Sequence, residues 1–185
     1  MCPLYWRKKN DIWFFNSFGK DKMLSINLNL PIINISWYEA CAFAKWNNAR
    51  LPFEKEWEFC ATNRGKTEFP WGTDKPDINK NNIDLKYYDA IDVKTNEKGK
   101  NLYNIYNMIG NVWEWCLDSY LPYNNFSMDV LNSNISYDNF SENKYVVKGG
   151  SSTASRYFIN SRYRKGLEPD DRTLSTGFRL VRNIN

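Results

Sequence analysis

Six consecutive residues, Gly110-Asn111-Val112-Trp113-Glu114-Trp115, constrain the fold more than any other part of the sequence. Gly110 followed by Asn111 suits a tight turn, because these residue types best tolerate left-handed backbone. Trp113 and Trp115 then bring two large rings that demand burial, and they flank a carboxylate. A buried Glu114 is tolerable only where an arginine or backbone N–H groups meet it. The block is therefore read as structural: its rings staple long loops and Glu114 requires a partner. The rest of the chain has the same character. Its 185 residues include eight Trp, twelve Tyr and eleven Phe, although only 42% are hydrophobic. The core is expected to be aromatic-rich, with few aliphatic side chains.

The length fits one domain spanning residues 1–185. The stretch up to about Leu30 shows no helical period and reads as loops with at most a short strand. Pro31-Ile32-Ile33-Asn34-Ile35 is a β-prone run. Ser36-Trp37-Tyr38-Glu39 is a capping box, and the alanine-rich pattern through Trp46 behind it predicts an amphipathic helix that stops at Asn47-Asn48. Glu54 to Ala61 predicts a second helix with acids in its first turn, where the helix dipole favours them. Thr62 to Gly99 and Leu121 to Asn143 have loop composition. Tyr145 to Lys148 reads as a strand ending at Gly149-Gly150, and Gly177 to Arg182 as a final strand. Two short helices, scattered strands and long loops make an α+β domain with little regular structure.

The net charge is +4, and the segment from Ser151 onward, with seven basic and three acidic residues, carries that whole excess. Such a face could attract an anion; the alternative is arginines paired internally with acids such as Glu114 and Asp118. No nucleic-acid motif accompanies the charge, so no nucleic-acid partner is expected. No run approaches the roughly 18 apolar residues of a membrane helix. The first nine residues lack a secretory core, so the expected location is cytoplasmic, with no membrane partner. Cys2, Cys41, Cys60 and Cys116 form no C-x-x-C pair, which excludes zinc-ribbon and thioredoxin readings. Cys41 and Cys60 fall in helical patterns and are expected as buried thiols. Histidine is absent, which removes imidazole bases, Ser-His and Cys-His nucleophile pairs, and histidine-ligated metal sites from this chain.

Several strings occur in a fixed order: Ile35-Ser36-Trp37-Tyr38-Glu39-Ala40, Arg50-Leu51-Pro52 with Glu54 and Glu56-Trp57-Glu58, Pro70-Trp71-Gly72, the Gly110 to Trp115 block, Gly149-Gly150-Ser151, and Gly177-Phe178-Arg179. In this order they resemble the formylglycine-generating-enzyme, or sulfatase-modifying-factor, family, whose fold is a variant of the C-type-lectin-like fold. The resemblance runs from about Pro31 to Val181. Within that family the chain looks most like the C-terminal half of the sulfoxide synthases of ergothioneine and ovothiol biosynthesis. That likeness rests on Pro3-Leu4-Tyr5-Trp6, on Asp118 through Phe126, and on the spacing from Gly149-Gly150-Ser151 through Tyr163-Arg164 and Pro169 to Gly177.

The resemblance also implies where chemistry is lost. Copper-dependent formylglycine formers hold the metal with two cysteines shortly after the Gly-Gly-Ser; those positions here are Ala154 and Ile159, so no metal ligand is assigned. The sulfoxide synthases hold Fe(II) with three histidines from a separate helical domain, so iron enters only if a histidine-bearing partner supplies it. The chain is also expected to lack the family's first strands. Phe53 stands where the family has a helix-capping Thr, a loss of about 1 kcal/mol. By the same resemblance Tyr137 is the candidate proton donor. Arg156, Arg162, Arg164 and Arg172 are candidates for binding a small thiol or amino-acid ligand through its carboxylate, with internal salt bridges as the alternative. Asn111, Trp113, Glu114 and Trp115 form the structural motif. A Ca²⁺ site near Asn82, Ile83 and Asn101 is compatible with the family. Three readings remain open: an enzyme-derived half inactive alone, a ligand- or protein-binding module on a lectin-like scaffold, and a degenerate gene fragment.

Overall fold

The computed structural model describes residues 4–17, 20–23, 29–124, 126, 140–173 and 175–183, with backbone alone for 15–17 and 20–23. The opening segment is not the loop region its sequence suggested. Strands β1 (Trp6–Lys9), β2 (Ile12–Ser17) and β3 (Lys20–Met23) form an antiparallel meander in the order β1-β2-β3. Lys9 pairs with Ile12 across a two-residue turn, Asn10-Asp11, and both turn residues have positive φ (49° and 60°). This turn geometry matches the strand twist and favours Asn and Asp. The basic run in β1 hid the alternation.

Helix α1 (Trp37–Trp46) starts at the expected box: Glu39 N–H donates to Ser36 Oγ (3.1 Å) and Ser36 N–H to Glu39 Oε2 (2.8 Å). Helix α2 (Glu54–Ala61) has half a box, since the Glu56 carboxylate accepts from Phe53 N–H at 2.8 Å but phenylalanine cannot accept in return. Asp118, far away in sequence, takes over: its Oδ2 accepts from Glu54 N–H at 2.5 Å. Asp118 is thus a helix cap and not the arginine partner its charge suggested. Asp118→Ala is expected to lower stability by about 1 kcal/mol, read by urea denaturation; no loss would mean water caps α2 equally well.

The second sheet contains β4 (Trp113–Tyr120), β5 (Ser141–Lys148), β6 (Arg164–Leu167) and β7 (Thr176–Gly177), in the order β6-β5-β4-β7. All its pairs are antiparallel except β4 with β7. Strand alternation assigns the two faces. Trp113, Trp115 and Val147 pack with Ala40 and Ala44 of α1, whereas Cys116 and Val146 pack with Trp57 and Ala61 of α2. Two sequence expectations fail here. Pro31–Ile35 forms no strand, although Ile33 and Ile35 are buried. The last strand ends at Gly177 because Arg179 turns into the interior; beyond it only Val181 pairs, as an isolated bridge to Arg50. The result is an α+β domain in which long loops wrap a small central sheet. No helix among the described residues is long and apolar enough to cross a membrane.

Candidate functional site

Strand β5 ends in Gly149 and Gly150, both at positive φ (87° and 74°). A side chain at Gly149 would meet the Met108 carbonyl oxygen at 2.8 Å, so only glycine fits the turn. A Cβ at Gly150 would meet Ala154 Cβ at 3.1 Å and collide with Ile159. Ala154 and Ile159 therefore share one side of the Gly-Gly turn. Ile159 is buried against the apolar layer of Trp57, Ala61, Cys116 and Val146, and Ala154 packs on it. A methyl and a branched alkyl group do not fit a soft metal ion, which needs thiolates. The described cysteines stay protonated: burial pushes Cys41 up to about 11 and raises both Cys60 and Cys116. Among the described residues no group of three or more His, Cys, Asp or Glu could hold a metal ion.

A cavity of about 910 Å³ opens between α2, the end of β4 and Leu121–Asn124. Charged side chains line it, and Lys148 braces them from behind. Lys148 is fully buried, with its ammonium 3.4 Å from Glu54 Oε1, 3.2 Å from Glu58 Oε2 and 3.1 Å from the Arg162 carbonyl oxygen. Glu54 Oε1 also accepts from the Tyr123 hydroxyl at 2.8 Å and lies 3.1 Å from Arg164 Nε. The Arg164 guanidinium sits between two rings, 4.7 Å from Tyr120 and 4.4 Å from Tyr123, and donates to the Leu121 carbonyl at 2.9 Å. The rings and the carboxylate together hold a cation at the cavity wall. Burial, reinforced by Glu54, pushes the Tyr123 phenol well above its ordinary value, and burial raises Tyr120. Tyr123 therefore acts as a hydrogen-bond donor to Glu54 and not as a base. With Lys55 and Arg64 on the rim and Asp118 and Glu58 on the wall, the cavity offers both signs of charge to a ligand.

Of the four candidate arginines, the structure brings one into the lining of this cavity. Arg164 lines it, and Arg162 lies beside Glu58 at 3.8 Å while remaining largely exposed. Arg156 pairs with Asp84, and Arg172 with Glu39 at 2.9 Å; neither lines the cavity. Tyr137 lies outside the described residues. Asn111 (φ 70°) uses its whole amide: Oδ1 accepts from Ile91 N–H (2.8 Å) and Asn82 (3.0 Å), and Nδ2 donates to the Ile91 carbonyl (3.1 Å). Trp113 packs on Tyr163, and Trp115 Nε1 donates to the Ile35 carbonyl at 3.0 Å. Glu114 meets Arg179 through both oxygens, one at 2.6 Å, and accepts from Trp57 Nε1 at 2.7 Å. Asn82 keeps one buried oxygen without a partner, whereas Asn101 Oδ1 is taken by the Tyr103 and Ile105 N–H groups. Asn81, beside Asn82, keeps a second such oxygen, and the remaining ligands of the six or so that a hard cation takes would have to come from backbone carbonyls or water.

Lys148, Glu54 and Tyr123 were not singled out from the sequence. A signal for Lys148 existed: Val146, two residues earlier, faces the α2 layer, and alternation puts Lys148 on the same face.

The sulfatase-modifying factor enzyme 1-like domain matches residues 6–184. Hercynine oxygenase of Mycobacterium tuberculosis is 29% identical over 158 residues, covering 83% of this chain and 37% of that protein. Formylglycine-generating enzyme of Thermomonospora curvata is 30% identical over 181 residues, covering 88% of this chain and 59% of that one. The chain thus spans between 37% and 59% of the length of these two relatives. The structure of PvdO from Pseudomonas aeruginosa shares the fold, with a TM-score of 0.66 at 20% identity over 96% of this chain and 70% of that one. With its motifs assembled around the Gly-Gly turn and the Glu114–Arg179 pair, and with a match over nearly its whole length, the chain belongs to the sulfatase-modifying factor enzyme 1-like domain family.

Proposed function

We propose that this chain is the ligand-holding half of a two-part system of the sulfoxide-synthase kind and has no catalytic power alone. The observation that carries this reading is the apolar pair at the Gly-Gly turn. Ala154 and Ile159 stand where the formylglycine formers of the family carry copper-binding cysteines, and both are packed as core. Redox chemistry would then come from a histidine-bearing iron-domain polypeptide, and this half would bind and orient a small thiol or amino-acid ligand. The cavity lined by Glu54, Glu58 and Arg164 supports that role. A carboxylate suits the rim at Arg64, whose guanidinium is exposed, and an ammonium suits Glu58 and Asp118.

The test mixes the purified chain with the three-histidine helical domain of a sulfoxide synthase under Fe(II) and oxygen. The expected result is iron retained by the pair and oxygenation of an added thiol, with neither from this chain alone. A pair that holds no iron, or a lone chain that oxygenates thiols, overturns the proposal. The cavity also favours a second reading, a binding module independent of any redox partner. Under that reading a thiol- or carboxylate-bearing amino acid raises the melting temperature of the chain alone while the mixed pair stays inactive.

A further inference from the structure

A second cavity, of about 690 Å³, lies along α2 where it faces the C-terminal segment, walled by Trp57, Phe59, Ile105, Met108, Leu180 and Val181. Its size falls in the range of small-molecule sites. Three ionic side chains also reach it: Lys55, Glu56 and Arg179. Two of them are already neutralised. Glu56 is held by both arms of Arg50, at 2.6 and 2.7 Å, and that guanidinium keeps its carboxyl below the ordinary glutamate value. Arg179 is held by Glu114. Lys55 is exposed and has no carboxylate within ion-pair distance among the described residues; its ammonium sits 5.8 Å from the Phe53 ring centre. The groove therefore presents an apolar wall with one ammonium at its edge, Lys55, that makes no ion pair among the described residues. Such a wall disfavours polar or cationic ligands, whose groups would lose water without a partner. It suits an alkyl chain that ends in an anion.

We propose that this groove binds a single-chain carboxylate amphiphile of the fatty-acid type, with the alkyl chain along Trp57, Met108 and Leu180 and the carboxylate at Lys55. The site shares Lys55 and Phe59 with the edge of the cavity assigned to the family ligand but is otherwise walled by different residues, and its success or failure does not depend on an iron-bearing partner. Cys60 also lines the groove and is half-buried, so it reports on occupancy.

The experiment uses the full chain with octanoate, decanoate and decanol below their aggregation concentrations. Binding is measured by calorimetry, and maleimide alkylation of Cys60 is followed by peptide mass mapping. Decanoate is expected to bind roughly 15-fold more tightly than octanoate, the yield of two buried methylenes. It should slow alkylation of Cys60 and leave Cys41 unaffected. Lys55→Glu, an exposed change that leaves the fold intact, should weaken decanoate about fivefold and leave decanol unchanged. Equal affinity for octanoate and decanoate, decanol binding as tightly as decanoate, or Cys60 alkylation unaffected by decanoate would each overturn the proposal.

Discussion

Glu114→Ala is expected to cost about 4 kcal/mol of folding free energy, a larger loss than any other substitution proposed for this chain. Glu114 is buried and satisfies two groups at once, the Arg179 fork and the Trp57 indole N–H. Burial alone would pull the Arg179 pKa down; the Glu114 carboxylate more than offsets this and holds it above its ordinary value. Removing the carboxylate leaves a buried cation and a buried donor unpaired, and the penalty is theirs rather than the net worth of the pair. A domain of this size usually has about 5–15 kcal/mol in all, so the melting temperature should fall by roughly 8–16 °C. Glu114→Gln keeps the shape and the indole bond and should cost about half as much. The double variant Glu114→Met with Arg179→Met should be more stable than Glu114→Ala, because no charge is left alone. Urea denaturation of the three proteins decides the point. Equal loss in all of them would show that the pair contributes packing and not charge compensation.

Lys148→Met is expected to cost about 3 kcal/mol, through an orphaned carboxylate that is half-buried in this case, with a different distribution of damage. Lys148 lies directly opposite Glu114 across the β4–β5 ladder, yet its ammonium turns to Glu54 and Glu58 because Arg179 already occupies Glu114. Without Lys148, Glu54 retains Tyr123 and Arg164, whereas Glu58 retains only Arg162 at 3.8 Å. The orphaned charge is therefore mainly on Glu58, and adding Glu58→Gln should restore about half of the lost stability. If the second change restores nothing, the cost lies in the lost contacts to Trp57 and the Arg162 carbonyl. Ligand binding in the larger cavity should weaken in Lys148→Met even at temperatures where the variant is fully folded, since Lys148 holds the carboxylates that line it.

The legible parts of this protein are those whose partners are close in sequence. The Ser36–Glu39 box defines the start of α1 within four residues, and the same local logic marks the glycine pair that ends β5. The meander of β1 to β3 was missed because its signal lies in the Asn10-Asp11 turn and not in the alternation of a strand as basic as Trp6–Lys9. At the larger cavity, Arg164 was reached through resemblance. Glu54 was visible only as a helix-start acid, and nothing local shows that it would be shared by Lys148, Arg164 and Tyr123. The Phe53 position shows the opposite failure: the sequence predicts a lost cap, but a carboxylate from β4 supplies one.

For the block from Gly110 to Trp115, the sequence alone determined a turn, two rings to bury and a carboxylate in need of a counter-charge. Those requirements follow from residue type, because the costs of left-handed backbone, of exposed indoles and of a buried charge are local. Only the tertiary structure decided that Arg179 answers Glu114, that Lys148 goes to α2, and that Ala154 and Ile159 close on each other behind Gly150. Each of these depends on which chain segments the sheet and the two helices bring within a few ångströms. Short-range forces act only after that folding has removed the sequence distance between the partners.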